Sequence, residues 1–218
     1  MKRYVVVGLG NFGAATAEAL HAAGHDVTTI DVDEDAVDRM ASRVTRAAVG
    51  DARNIDVLKS IGAERADIGI VSTGDDITAS ILAALALKDL GVQELYVKVI
   101  SQDHARVIEK MGATETIFPE RESGIRLATR IGSPGILNYI RVGDGFGIQE
   151  MAVPESWIGE PLRKLQLPKK HKVSIIAVHD VLRDEIVPVP NPDAPLKESD
   201  TLLILGRDKD LANVAKVK

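Results

Sequence analysis

Between residues 3 and 118 the chain alternates two hydrophobic patterns. Short apolar runs at Val5–Val7, Val27–Ile30, Ala47–Val49, Ile68–Val71, Leu95–Val99 and Thr116–Phe118 predict strands. Several are apolar at consecutive positions, so both of their faces must be covered, as in a parallel sheet flanked by helices. The intervening stretches Asn11–Ala23, Glu34–Ser42, Asn54–Ile61, Asp76–Leu90 and Gln102–Met111 predict helices. In the fourth, Ile77, Ile81, Ala84, Leu85 and Leu87 form a broad apolar stripe at helical spacing. Gly24, Gly62, Gly91 and Gly112 each follow a helical run where a C-terminal cap is wanted. Strand–helix alternation with short connections implies an α/β fold, a Rossmann-like doubly wound parallel sheet.

After Pro119 this alternation stops. Glu120 to Arg130 predicts one more helix, followed by the breaker stretch Gly132-Ser133-Pro134-Gly135, and Ile136–Val142 is expected to continue helically. Beyond Gly143, short strands at Ile148–Val153, Ser174–Val178, Glu185–Val187 and Thr201–Leu205 are separated by Pro-rich connections. The expectation is a first domain over residues 1–138, including the crossover helix, and a small α+β domain over 139–218.

Composition removes several function classes. A net charge of −5 gives no global attraction to nucleic acid or anionic lipid, and aromatics at 3% offer few stacking platforms for bases. With no cysteine there can be no disulfide, thiolate metal site or Cys nucleophile, which fits a reducing compartment. Met1-Lys2-Arg3 runs directly into a strand-like segment, so no signal peptide is expected. The longest uncharged helical run, Ile77 to Leu87, is far short of the roughly 20 residues of a bilayer span.

The strongest chemical signal is Gly8-Leu9-Gly10-Asn11-Phe12-Gly13, which follows a strand and opens a helix. In such a turn Gly8 permits the tight bend, Gly10 lets a phosphate approach the backbone, and Gly13 allows helix and strand to pack closely. The free N–H groups and dipole of the helix start then face an anion. Asp31 ends the second strand, where a carboxylate accepts hydrogen bonds from ribose hydroxyls and repels a 2′-phosphate. NADP is therefore disfavoured, while NAD, ADP and ATP remain.

Further candidates lie at the carboxyl ends of strands, where open α/β sheets bind ligands. Within Gly50-Asp51-Ala52, Asp51 either contacts adenine or ribose or caps a helix beginning at Arg53. In Ser72-Thr73-Gly74-Asp75-Asp76 one of the two acids is an N-cap candidate, and the Thr73 hydroxyl and Gly74 backbone could face phosphate. Lys98 sits inside an apolar strand and requires an anionic partner, either a phosphate or an Asp/Glu side chain.

The rival reading is an NAD-dependent oxidoreductase. No tyrosine is followed by lysine at the Tyr-x-x-x-Lys spacing, since the fourth residues after Tyr4, Tyr96 and Tyr139 are Gly8, Ile100 and Gly143. Of the five histidines only His21 and His25 stand four apart, at a helix end where cationic His suits the dipole. The second domain offers no evident acid–base pair, so a non-enzymatic, ligand-binding role is expected.

Taken together, Val5–Gly13, Gly24-His25-Asp26-Val27 leading to Ile30-Asp31, Lys110-Met111-Gly112-Ala113 before Pro119-Glu120, Leu137-Asn138-Tyr139-Ile140 and the Asp200–Gly206 segment make the chain similar to the RCK (KTN) family. The likeness covers essentially the whole chain and is greatest to stand-alone Ktr/Trk-type gating subunits of potassium uptake systems. It implies homodimers assembled into an octameric ring at the cytoplasmic side of the inner membrane, held there by a membrane-embedded potassium channel subunit. It also implies that ATP, ADP or, in some members, NAD(H) bind the first domain, lined by Gly8, Gly10, Gly13, Asp31, Asp33 and Asp51. Glu120 matches a glutamate that places a divalent cation, magnesium or calcium, near the phosphates at the dimer interface. Without the resemblance, Glu120 is read as a helix-start acid stabilised by the dipole.

One departure concerns Asn11, which stands where Ktr-type members commonly carry an arginine reaching a terminal phosphate. Asparagine lacks the charge and bidentate fork of guanidinium, which moves expectation toward AMP or NAD. In the second domain Arg163, Lys164, Lys169, Lys170, His171 and Lys172 form a basic stretch. Some relatives bind cyclic di-AMP in this lobe, although Pro168 occupies the position of an expected arginine, and a solvated turn is the favoured reading of these charges. Trp157 is expected in a dimer interface or the lobe core.

Overall fold

The computed structural model describes residues 1–74, 76–132 and 135–217, with Thr129 and Arg130 described by backbone only. The chain divides into two compact units, Met1–Glu120 and Arg121–Lys218. The division falls earlier than the expected 138/139 and places most of the crossover helix, from Arg121 onward, with the second unit.

In the first unit β1 (Arg3–Val7), α1 (Asn11–Ala22), β2 (Asp26–Asp31), α2 (Glu34–Met40), β3 (Arg46–Val49), α3 (Ile55–Ser60), β4 (Ile68–Val71), α4 (Ile77–Asp89), β5 (Glu94–Lys98), α5 (Gln102–Lys110) and β6 (Glu115–Ile117) follow the sequence pattern closely. A 3-10 turn at Ala63–Arg65 precedes β4. All six strands are parallel, in the order β3-β2-β1-β4-β5-β6. Side-chain alternation divides the core into two layers. Val5 and Val7 join Leu58, Leu87, Leu95 and Ile108 on one face, while Val6, Ile68 and Ile70 join Ala17, Val37 and Met40 on the other. Thus α1 and α2 cover one face, and α3, α4 and α5 the other. The order of strands reverses direction between β1 and β4, the point where such sheets open a crevice.

The helix α6 (Pro119–Gly132) begins in the last residues of the first unit. The second unit holds β7 (Ile136–Gly143), β8 (Phe146–Ala152), α7 (Leu162–Leu165), α8 (Leu167–Lys170), β9 (Ser174–Asp180), β10 (Glu185–Pro188), β11 (Asp200–Arg207) and α9 (Asp208–Val214). Its five strands form an antiparallel sheet in the order β10-β9-β11-β8-β7. Ile136–Val142 is therefore a strand and not a helix. Its β-branched residues pair across the Asp144-Gly145 turn, with Tyr139 opposite Gln149 and Ile140 opposite Ile148. The Tyr139 ring lies where a side chain on Gly147 would otherwise go, and its hydroxyl donates to Asp208 Oδ1 at 2.8 Å. Trp157 is buried in this unit's core beside Leu165, Leu202 and Leu211.

Candidate functional site

Each glycine of the β1–α1 turn has its own physical reason. Gly8 has φ +89°, and a Cβ there would lie 2.2 Å from the Ser72 carbonyl oxygen. A Cβ on Gly13 would lie 1.9 Å from the Gly8 carbonyl oxygen, so α1 can approach β1 this closely only with glycine. Gly10 differs: its φ of −65° suits any residue, and a Cβ there would meet nothing within 4 Å. Neither strain nor crowding demands glycine at this position. The space it leaves belongs to a cavity of about 500 Å³ at the carboxyl ends of the strands, within the usual size of small-molecule sites.

The start of α1 faces that cavity without a cap. The helices α2, α3, α4 and α5 each have one first-turn amide satisfied by a side chain, from Asp33, Asn54, Asp76 and Ser101 respectively. At α1 the cap residue is Gly10 and no side chain accepts from the first turn. The donors left over at a helix start then point to an external acceptor.

Asp31, closing β2, braces this turn and lines the cavity. Its Oδ2 accepts from the Leu9 amide at 2.5 Å and its Oδ1 from the Asp33 amide at 2.9 Å. Both oxygens retain acceptor capacity for ribose hydroxyls. Gly8, Gly10, Asn11, Phe12, Asp51, Ala52, Thr73, Gly74, Lys98 and Glu120 also line the cavity. Gly13 and Asp33 do not. Gly13 serves packing, and the Asp33 carboxylate accepts from the Asp35 amide at 3.0 Å as the cap of α2.

Asp51 does not cap a helix from Arg53, because α3 starts at Ile55 and Asn54 caps it through the Asp56 amide. The Asp51 carboxylate instead accepts from the Arg53 amide at 3.0 Å and from its guanidinium Nε and Nη2 at 2.9 and 2.6 Å. That guanidinium holds the Asp51 carboxyl below the usual carboxylate range. Arg53 itself lines the cavity and was missed from the sequence. The legible signal was an arginine two residues after an aspartate in the turn that follows β3. Thr73 Oγ1 donates weakly to the Asp76 carbonyl at 3.4 Å, while the Asp76 carboxylate accepts from the Ala79 amide at 2.8 Å and caps α4. Asp75, the other cap candidate, lies outside the described residues.

Lys98 finds a carboxylate. Its side chain is only 12% exposed and its Nζ lies 2.6 Å from Glu120 Oε1, whose own side chain is 69% exposed. The Lys98 hydrogen bond, together with a backbone N–H, lowers the Glu120 carboxyl below its ordinary range. A carboxylate committed to an ammonium is a poor metal ligand. Among the described residues no group of three or more His, Asp or Glu converges on a possible ion. The donor set of a single chain does not fit a magnesium or calcium site.

In the second unit Arg163 and Lys164 of the basic stretch are paired with carboxylates. Arg163 grips Asp193 through Nε and Nη2 at 2.5 and 2.9 Å, and Lys164 Nζ lies 2.7 Å from Glu160. The His171 ring lies tilted against Trp157, with ring centroids 5.8 Å apart.

A parallel sheet reversing at β1/β4, a glycine turn leading to an uncapped helix, and an acid closing the neighbouring strand together define a Rossmann-type nucleotide-binding unit. The TrkA-N domain pattern matches residues 4–119 and the TrkA-C domain pattern residues 148–218. The chain is 32% identical over 210 residues to Ktr system potassium uptake protein A of Bacillus subtilis (strain 168), covering 96% of this chain and 94% of that protein. The chain belongs to the TrkA-N/TrkA-C family, with the Ktr and Trk potassium uptake proteins. These relatives favour a regulatory role over the oxidoreductase alternative.

Solved structures agree on the fold. The GsuK Channel superposes with a TM-score of 0.70 at 18% identity over 99% of this chain, which spans 39% of the channel chain. The GsuK channel bound to NAD gives 0.55 at 21% identity, covering 97% of this chain and 37% of that one. The Kef CTD of Shewanella denitrificans in AMP bound form gives 0.52 at 22% identity over 61% of this chain and 83% of that one. Among the described residues no helix is long and apolar enough to cross a membrane.

Proposed function

We propose that this chain is the nucleotide-sensing regulatory subunit of a potassium uptake system. It binds an adenosine phosphate in the cavity of its first unit and thereby controls a membrane-embedded potassium channel subunit. The observation that carries this reading is the combination at Gly10: an uncapped helix start opening on a cavity where glycine is required by neither strain nor packing. Phosphate oxygens satisfy the α1 amides, and the Asp31 carboxylate accepts from the ribose hydroxyls. The negative charge of Asp31 excludes a 2′-phosphate, leaving ATP, ADP, AMP and NAD(H) as ligands. Adenosine phosphates and NAD share the portion these groups would recognise, and the AMP-bound and NAD-bound neighbours of the same fold support that portion as the occupant.

Control works by differential affinity. A ligand that favours one arrangement of the subunits shifts the population toward it, and no bond is broken. The subunits form homodimers within an octameric ring on the cytoplasmic side of the inner membrane, the arrangement that the family membership supports. Isothermal calorimetry with AMP, ADP, ATP and NAD on the wild type and on Asp31→Ala tests the site. All four ligands are expected to weaken in the variant, by about tenfold or more for loss of charge-assisted hydrogen bonds. Unchanged affinity, with the variant's melting profile intact, removes Asp31 from the site.

A further inference from the structure

The parallel strands of the first unit all end at the nucleotide cavity, so they all begin at the opposite edge. There Arg3, Asp26 and Arg46 are the first residues of β1, β2 and β3. Register sets Arg3 beside Asp26 and, two residues further on, Val5, Thr28 and Arg46 in a row, so these side chains share one face. With Arg65 and the turn after α3 they line a cavity of about 350 Å³. Its three guanidiniums are poorly matched within the chain. Elsewhere Arg43, Arg53 and Arg163 hold carboxylates at 2.7, 2.6 and 2.5 Å. Here Arg3 Nη2 stands 3.5 Å from Asp67 Oδ1, and Arg65 Nε 3.6 Å from Glu64 Oε1. Arg46 has no carboxylate partner among the described residues, and its Nη1 donates weakly to the Ile61 carbonyl at 3.4 Å. A guanidinium has five N–H donors in a rigid fork, so that one contact leaves most of them open. The Asp26 carboxylate likewise has no hydrogen-bond or ion-pair partner among the described residues.

We propose that this cavity at the strand starts is a binding site for inorganic phosphate. Arg46 supplies the paired donors that suit a tetrahedral oxyanion, and Arg3 and Arg65 add charge around it. The Thr28 hydroxyl, part-buried on the same face, adds one more donor. Asp26 decides which oxyanion is accepted. A carboxylate repels a fully ionised oxyanion, yet it accepts a hydrogen bond from one that carries a hydroxyl. Phosphate keeps at least one proton at neutral pH and sulfate keeps none, so the site takes phosphate in preference to sulfate. The cavity shares no lining residue with the nucleotide cavity, and the proposal stands independently of what occupies that one.

The test is calorimetry of the full chain with sodium phosphate and with sodium sulfate, in a chloride buffer of fixed ionic strength at neutral pH. Wild type, Arg46→Gln, Arg65→Gln and Asp26→Asn are compared. The wild type is expected to bind phosphate saturably and to favour it over sulfate by about tenfold or more. Arg46→Gln should weaken phosphate by about tenfold, and Arg65→Gln by less, since its side chain is 77% exposed. Asp26→Asn should bring the phosphate:sulfate ratio down toward one. Absence of saturable phosphate binding in the wild type overturns the proposal. So does binding that Arg46→Gln and Arg65→Gln leave unchanged, which puts the phosphate elsewhere on the chain. A ratio that Asp26→Asn does not move removes the carboxylate from the site and overturns the selectivity. Arg65→Gln, on a surface turn, keeps the test decisive should Arg46→Gln misfold.

Discussion

The two units of this chain bury their sheets in opposite ways, and the difference explains where a ligand can go. In the first, β4 is buried at all four positions and helices cover both faces. Because every strand runs the same way, every strand-to-helix turn reaches the same edge, and the turns after β1, β2, β3 and β4 meet around one cavity. In the second, hairpins send successive turns to opposite edges, and β10 is exposed at all four positions. Parallel connectivity concentrates uncapped amides, carboxylates and cations in one place; antiparallel connectivity disperses them.

The sharpest way to break this comparison is inside the glycine turn. Gly13→Ala forces a Cβ to within 1.9 Å of a carbonyl oxygen, and the first unit is expected to lose its fold, read as loss of the cooperative melting transition. Gly10→Ala meets no protein atom within 4 Å and is expected to melt like the wild type yet lose about tenfold or more in AMP affinity. If both variants behave alike, the distinction between a packing glycine and a ligand glycine is wrong.

A smaller effect separates the two cores. Leu87→Ala, at a fully buried site on α4, and Trp157→Ala, at 6% exposure in the second unit, should each cost about 2–5 kcal/mol in urea unfolding. Nucleotide at a hundred times its dissociation constant returns about 2.7 kcal/mol to whichever unit binds it. Rescue is expected for Leu87→Ala and not for Trp157→Ala.

Weaker still is the pH response of His104, buried between α4 and α5 with Nε2 3.1 Å from Ser80 Oγ. Burial lowers its pKa from the ordinary 6.5. Below pH 6.5 the unfolded chain takes up a proton that the folded one resists, so stability falls as pH drops from 6.5 toward the lowered folded value. His104→Gln should flatten the dependence of the melting temperature between about pH 7 and 5.5. Least is expected of Arg163→Ala: its pair with Asp193 is exposed at 67% and 63%, so water screens it and the melting temperature should stay where it is in the wild type.

Much of the first unit was legible because its strands are apolar on both faces and its helices end at glycine, signals that local sequence carries. Ile136–Val142 was not, since a short apolar run with Tyr139 and Ile140 suits either period and only its pairing with β8 decides. Within the site, Gly8, Gly10 and Asp31 were readable from spacing. The Arg53–Asp51 clamp and the choice of Glu120 by Lys98 were not, because each depends on where the chain returns in space. Asp33 is the opposite case: its carboxylate is used locally, as the cap of α2.

Hydrogen–deuterium exchange of the full chain with and without saturating AMP bears most directly on the central claim, that a nucleotide phosphate occupies the uncapped start of α1. The amides of Gly10 to Gly13 should slow on AMP addition, while those of the capped helix starts at Glu34 and Gln102 stay unchanged. Exchange at Gly10 to Gly13 that is indifferent to AMP, ADP, ATP and NAD would contradict it.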